Sequence, residues 1–202
     1  MKFSRACLFP LLALAACATD TASDVSGDYE ELDTTTVIDT PSPTAGAYFP
    51  ADRDTLDRGA YMVRLLGCGS CHTDGAFEGA PDLERALAGS NTGIAFTNPL
   101  GDELPGIVYP ANITPDEATG IGRWSEQQIG DAIRSGIGRH GGRRIPTMPW
   151  QGYSGLSDDD VAAMVAYLRS ITAVSHEVPV EVSPGQSAVD PYVYFGVYRS
   201  KR

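Results

Sequence analysis

Residues 67–73 read Gly-Cys-Gly-Ser-Cys-His-Thr, with Cys68 and Cys71 separated by two residues. That spacing serves three chemistries: a redox disulfide, half of a zinc site, or an anchor for haem. A zinc site takes four ligands, usually from a second closely spaced pair of cysteines or histidines. The other cysteines are Cys7 and Cys17, at the N-terminus, and the other histidines, His140 and His176, lie far apart. A thioredoxin-type disulfide needs a βαβ pattern around it, and none is visible here. The remaining reading is Cys-x-x-Cys-His, in which both thiols bond covalently to haem and His72 becomes an axial ligand of the iron. The predicted cofactor is one covalent haem c.

The second axial position decides what such an iron does. Its candidates are Met62, Met148, Met164, His140 and His176. Met62 lies in a helical stretch just before the motif, too close to reach the opposite face. Val161, Met164, Val165 and Leu168 recur at i, i+3, i+4 and i+7, one apolar helix face. Both methionines are read as core. Met148 stands in Arg144-Ile145-Pro146-Thr147-Met148-Pro149-Trp150, between two prolines. Proline removes a backbone donor and disfavours helix for the residue before it, so Met148 is presented on a stiff, extended loop. It is the assigned sixth ligand, against the plainer reading of a loop methionine filling a gap. His140, flanked by Gly138, Gly141 and Gly142, is the runner-up, and His176 stands behind it. A thioether opposite histidine fills the sixth position and raises the potential. Single-electron transfer is then the iron's task.

The N-terminus reads MKFSRACLFPLLALAAC. Lys2 and Arg5 precede an apolar run too short to span a bilayer well, which is the pattern of a secretory signal. Leu14-Ala15-Ala16-Cys17 resembles a bacterial lipobox, so residues 1–16 are expected to be removed and Cys17 to carry lipid that anchors the chain to a membrane. The alternative is ordinary cleavage with Cys17 left as a thiol. Cys68 and Cys71 are then the cysteines of the folded part, in an oxidising compartment where unmodified thiols do not persist. Residues 17–52 form the expected tether: from 18 to 52 there are eight acidic residues and no Lys or Arg, a composition that cannot bury enough apolar surface to order itself. Packing through Tyr48 and Phe49 is the competing view. Ala18, rather than an acidic residue, follows Cys17, which favours the outer membrane of a Gram-negative host. The net charge of −11 offers nothing to nucleic acid. Arg134, Arg139, Arg143 and Arg144 cluster ahead of Met148. They suit haem propionates or an acidic partner, or a solvated loop; both readings are open.

Three helices can be placed to carry these groups. The first spans about Asp54 to Leu66 and stops at Gly67. The second begins at Ser125, with Gln128 completing a capping box, and ends at Gly136 with Ile129 and Ile133 inward. The third begins at Ser157, where Asp158, Asp159 and Asp160 suit the positive end of a helix, and runs to about Thr172. Residues 88–123, rich in Gly, Pro and Asn, are read as loops around the haem edge, with a short helix near 82–88. Residues 173–202 are read as an extended tail over the domain. The expected class is all-α, three main helices with long loops around one covalently bound haem.

Residues 53–172 resemble a class I-type cytochrome c domain, and more narrowly the cytochrome c domains of membrane-bound bacterial dehydrogenases for alcohols, sugars and sugar acids. The stretches that carry the resemblance are Asp57-Arg58-Gly59-Ala60-Tyr61, Cys68-Gly69-Ser70-Cys71-His72-Thr73, Asn112-Ile113-Thr114-Pro115-Asp116, Thr119-Gly120-Ile121-Gly122-Arg123-Trp124-Ser125, Met148-Pro149 and Leu156-Ser157-Asp158-Asp159-Asp160-Val161. The resemblance implies that the first and third helices cross near Gly59 and Tyr167, that Met148 is the sixth ligand, and that the Pro81 carbonyl accepts the His72 ring N–H. Those dehydrogenase subunits usually carry several Cys-x-x-Cys-His motifs, and this chain has one. The expected function is therefore a membrane-tethered, mono-haem carrier of single electrons between donor and acceptor proteins, exported to the periplasmic side. A fixed subunit of a dehydrogenase or oxidase, docked through the tail, ranks second. A haem sensor ranks third, and an enzyme last.

Overall fold

A computed structural model describes residues 40–43, 52–99, 103–139 and 147–195. Helix α1 spans Arg53–Leu65, and the Asp52 side chain caps it by accepting from the Thr55 N–H. Gly67 follows with φ +68°, a left-handed turn that glycine adopts without a Cβ penalty. It turns the chain directly into α2, Cys68–His72. Helix α3 spans Glu126–Ser135 behind the Ser125/Gln128 capping box. A single turn, α4, spans Trp150–Tyr153. Helix α5 spans Asp158–Ser170, with the Ser157 hydroxyl as its cap.

Helices α1 and α5 pack across Gly59. A Cβ there would meet the Ala163 carbonyl and come within 2.6 Å of the Tyr167 Cβ, so glycine lets the backbones touch. Val63, Tyr167, Met164 and Leu168 are buried at this crossing, and α3 adds Ile129 and Ile133. Each such side chain contributes roughly 1.5–3 kcal/mol on burial. Met62 and Met164 both lie in this core, as their helical positions predicted. Tyr167 also reaches outward: its hydroxyl donates to the Pro41 carbonyl at 2.6 Å, so residues 40–43 lie against α5.

The helical class holds, with a small sheet added to it. Strand β1, Gly93–Ala95, pairs antiparallel with β2, Ile107–Val108, and parallel with β3, Tyr192–Val193. Val182 bridges Ile107 beyond β2. The strands are two or three residues long, too short for an alternating pattern to show, and one partner lies in the distant tail. The short helix expected near 82–88 is a 3₁₀ turn at Leu83–Arg85. Residues 173–181 carry no regular structure and bond to the loops through Val174 and His176, before a turn at residues 184–185. Cys7, Cys17, Tyr48, Phe49, His140, Arg143, Arg144 and Pro146 lie outside the described residues.

Candidate haem site

The five residues of α2 carry the reactive groups. Spacings of three and four residues share a helix face, so Cys68, Cys71 and His72 face the same way, and all three line one cleft. Both thiols are free and half-buried. Burial pushes the Cys68 thiol up to about 12 and raises Cys71 as well. Redox cysteines need the opposite shift, toward thiolate, so the pair does not suit a thioredoxin-type role. Among the described residues no group of three or more His, Cys, Asp or Glu is placed to hold a metal.

His72 is gripped at two points. Its carbonyl accepts from the Gly89 N–H at 2.9 Å. Its ring Nδ1 lies 2.6 Å from the Ala111 carbonyl oxygen. A carbonyl only accepts, so Nδ1 carries the proton and the lone pair for a metal is that of Nε2. The partner differs from the expectation, which gave this role to the Pro81 carbonyl. Pro81 sits in the turn closed by the Asp82 N–H donating to the Asp74 carbonyl at 2.9 Å. Ala111 arrives 39 residues after His72, on a loop whose return path no local spacing reveals.

Thr147, Met148 and Pro149 line the same cleft. Contacts from α4 help to hold this loop. The Trp150 ring lies against Gly136, where a Cβ would come within 2.6 Å of it. The Tyr153 hydroxyl donates to the Leu66 carbonyl at 3.2 Å, which ties α4 to the end of α1 just before the thiols. Burial raises the Tyr153 pKa to about 12, so the hydroxyl keeps its proton. Of the arginine cluster, Arg134 is paired with Asp158 at 2.7 Å and Arg139 is exposed. His176 is turned to the Ala88 carbonyl, at 2.8 Å.

The rest of the cleft is apolar, with Ile94, Ile113, Ile121, Trp124, Ile133 and Leu168 among its walls. Two thiols, a correctly tautomerised imidazole, the thioethers of Met148 and Met164 and greasy walls fit a haem c. Sequence reasoning missed Ala111, Asn112 and Tyr153 as site residues. Asn112 stood within a quoted motif without a role, and a lone Ala or Tyr carries no signal of its own.

Known proteins resemble this chain in sequence. The fructose dehydrogenase cytochrome subunit of Gluconobacter japonicus is 35% identical over 128 residues, covering 63% of this chain and 24% of the relative. The cytochrome c subunit of the quinone alcohol dehydrogenase of Gluconobacter oxydans is 38% identical over 117 residues, covering 58% and 21%. A diheme c-type cytochrome of Cereibacter sphaeroides is 30% identical over 114 residues, covering 56% and 35%. The chain thus spans about a quarter of the length of the first of these relatives. The family model for cytochrome c matches residues 56–172. That match runs from α1, through the thiol pair and Met148, to the end of α5, and the chain belongs to the cytochrome c family, whose domain binds haem covalently.

Proposed function

We propose that the chain is a single-haem electron carrier whose iron is held by His72 and Met148 and whose donor is a dehydrogenase. The observation that carries this reading is the cleft itself, which brings α2 and the Met148 loop together around apolar walls. Haem bound there supplies a one-electron ferric/ferrous couple. Cys68 and Cys71 would fix the group in place, His72 holds its proton at Nδ1 and would bind the iron through Nε2, and Met148 would supply a thioether to it. The apolar walls exclude water, which favours the ferrous state. The chain performs no substrate chemistry of its own in this reading. Residues 1–16 direct export, Cys17 carries lipid, and the acidic stretch after it is a tether on the periplasmic side, with the outer membrane favoured.

A second reading, the fixed subunit of a dehydrogenase complex, is favoured by the relatives, two of which are named as dehydrogenase cytochrome subunits. Purification from the native membrane separates the two. A stoichiometric catalytic partner indicates a fixed subunit, and isolation alone indicates a shuttle.

The test of the site is the visible spectrum of the haem-loaded protein, before and after carbon monoxide is added to the reduced form. A low-spin spectrum with the ferric methionine–iron band and no carbon monoxide shift is expected. A clear shift rejects the closed site and moves the sensor reading ahead.

A further inference from the structure

The Ala111 carbonyl is not held by its own loop alone. Its neighbour Asn112 is 2% exposed and makes four side-chain hydrogen bonds. Asn112 Nδ2 donates to Thr119 Oγ1 at 2.9 Å and to the Val174 carbonyl at 2.7 Å. Asn112 Oδ1 accepts from the Thr114 N–H at 2.9 Å and the Thr114 hydroxyl at 2.7 Å. An asparagine amide has two donors and two acceptor lone pairs, so this one is saturated, and a saturated buried network specifies one geometry.

The tail lies across the same groups. The Val174 N–H donates to Thr114 Oγ1 and the His176 N–H to Thr119 Oγ1, each at 3.1 Å. His176 Nδ1 reaches the Ala88 carbonyl, next to the Gly89 N–H that binds the His72 carbonyl. Ile113 N–H donates to the Leu87 carbonyl at 3.0 Å, joining the two gripping segments to each other. Residues 174–176 therefore bond to both segments that hold His72.

We propose that Asn112, braced by Thr114, Thr119 and the strap 174–176, is a positioning residue for His72: it holds the Ala111 carbonyl at Nδ1 and so sets how strongly the imidazole donates to iron. The proposal rests on His72 being the fifth ligand. A hydrogen bond at the far nitrogen makes a ligating imidazole more basic. The 2.6 Å separation is at the short end for N–H···O bonds. A more basic ligand favours ferric iron, so loosening the brace raises the reduction potential. The strap then belongs to the redox site, even though nothing in it touches the cleft.

The experiment uses the full-length, haem-loaded protein and two variants, Asn112→Ala and Thr119→Val. Val63→Ala, a destabilising change at the α1–α5 crossing, is the control. Two quantities are read: the reduction potential by spectroelectrochemical titration, and the exchange rate of the His72 Nδ1 proton by NMR on ¹⁵N-histidine protein. Both variants are expected to shift the potential upward and speed exchange, while Val63→Ala lowers stability and leaves both readings unmoved. Thr119→Val keeps side-chain volume and carries the test where Asn112→Ala fails to mature. Variants that lose stability with potential and exchange unchanged overturn the proposal, leaving Asn112 a structural residue only. Wild-type His72 ring signals without iron-induced shifts would reject the ligand assignment itself, a separate failure.

Discussion

Met148 and Tyr109 show how differently single groups in one cleft can act. Met148 is the thioether in a loop held by Trp150 and Tyr153. Met148→Ala is expected to lower the reduction potential, within the roughly 0.8 V span that axial ligands command, and to produce a carbon monoxide shift absent from the wild type. An unchanged potential would return His140 to consideration. Tyr109 is 5% exposed, and its hydroxyl has no hydrogen-bond partner among the described residues. Burial, with Asp190 nearby, raises its pKa, so it stays a neutral donor. An unsatisfied buried donor costs about 1–3 kcal/mol. Tyr109→Phe is therefore expected to leave stability unchanged or raise it by about 1 kcal/mol, read by urea denaturation. A loss of stability in the haem-loaded protein would mean that the hydroxyl serves the bound group.

Helices α1, α3 and α5 are fastened by devices that can be cut one at a time. Removing the Ser125 hydroxyl ends the capping box of α3, and Ser125→Ala is expected to cost about 1 kcal/mol in denaturant. Gly59→Ala acts at a backbone contact with α5 that cannot yield, and is expected to cost about 1–3 kcal/mol with a matching fall in midpoint. If Gly59→Ala is neutral, the two helices do not pack backbone to backbone. These elements were legible in the sequence because their signals are local: Ser125 with Gln128, three aspartates after Ser157, and Gly67 or Gly136 at a stop. The five-residue helix of the motif and the single turn after Pro149 were not read, since neither is long enough to show a period. The sheet was hidden for a related reason, as β3 lies in the tail, about a hundred residues after β1. At the site, the groups proposed to hold a cofactor carry a signal in their type and spacing. The groups that position them, Ala111 and Asn112 above all, act through backbone carbonyls and return loops that residue identity does not encode.

For the whole molecule, the proposed leader and lipid anchor can be tested directly. Cys17→Ser is expected to move the mature protein from the membrane fraction to the soluble one without altering the haem spectrum. Mass spectrometry of the wild type checks the lipid directly, and unchanged fractionation would reject the anchor. The cleft draws its walls from both ends of the domain, from Cys68 on α2 to Leu168 on α5. A chain is made from its N-terminus at roughly 5–20 residues per second, and about ninety residues separate α2 from α5. The thiols therefore emerge several seconds before the helix that completes their burial exists. Once the cleft has closed, the Cys68 thiol is held at about 12 and reacts poorly. Attachment of a haem through Cys68 and Cys71 is therefore expected to precede closure of the cleft, with folding then closing around a group already in place.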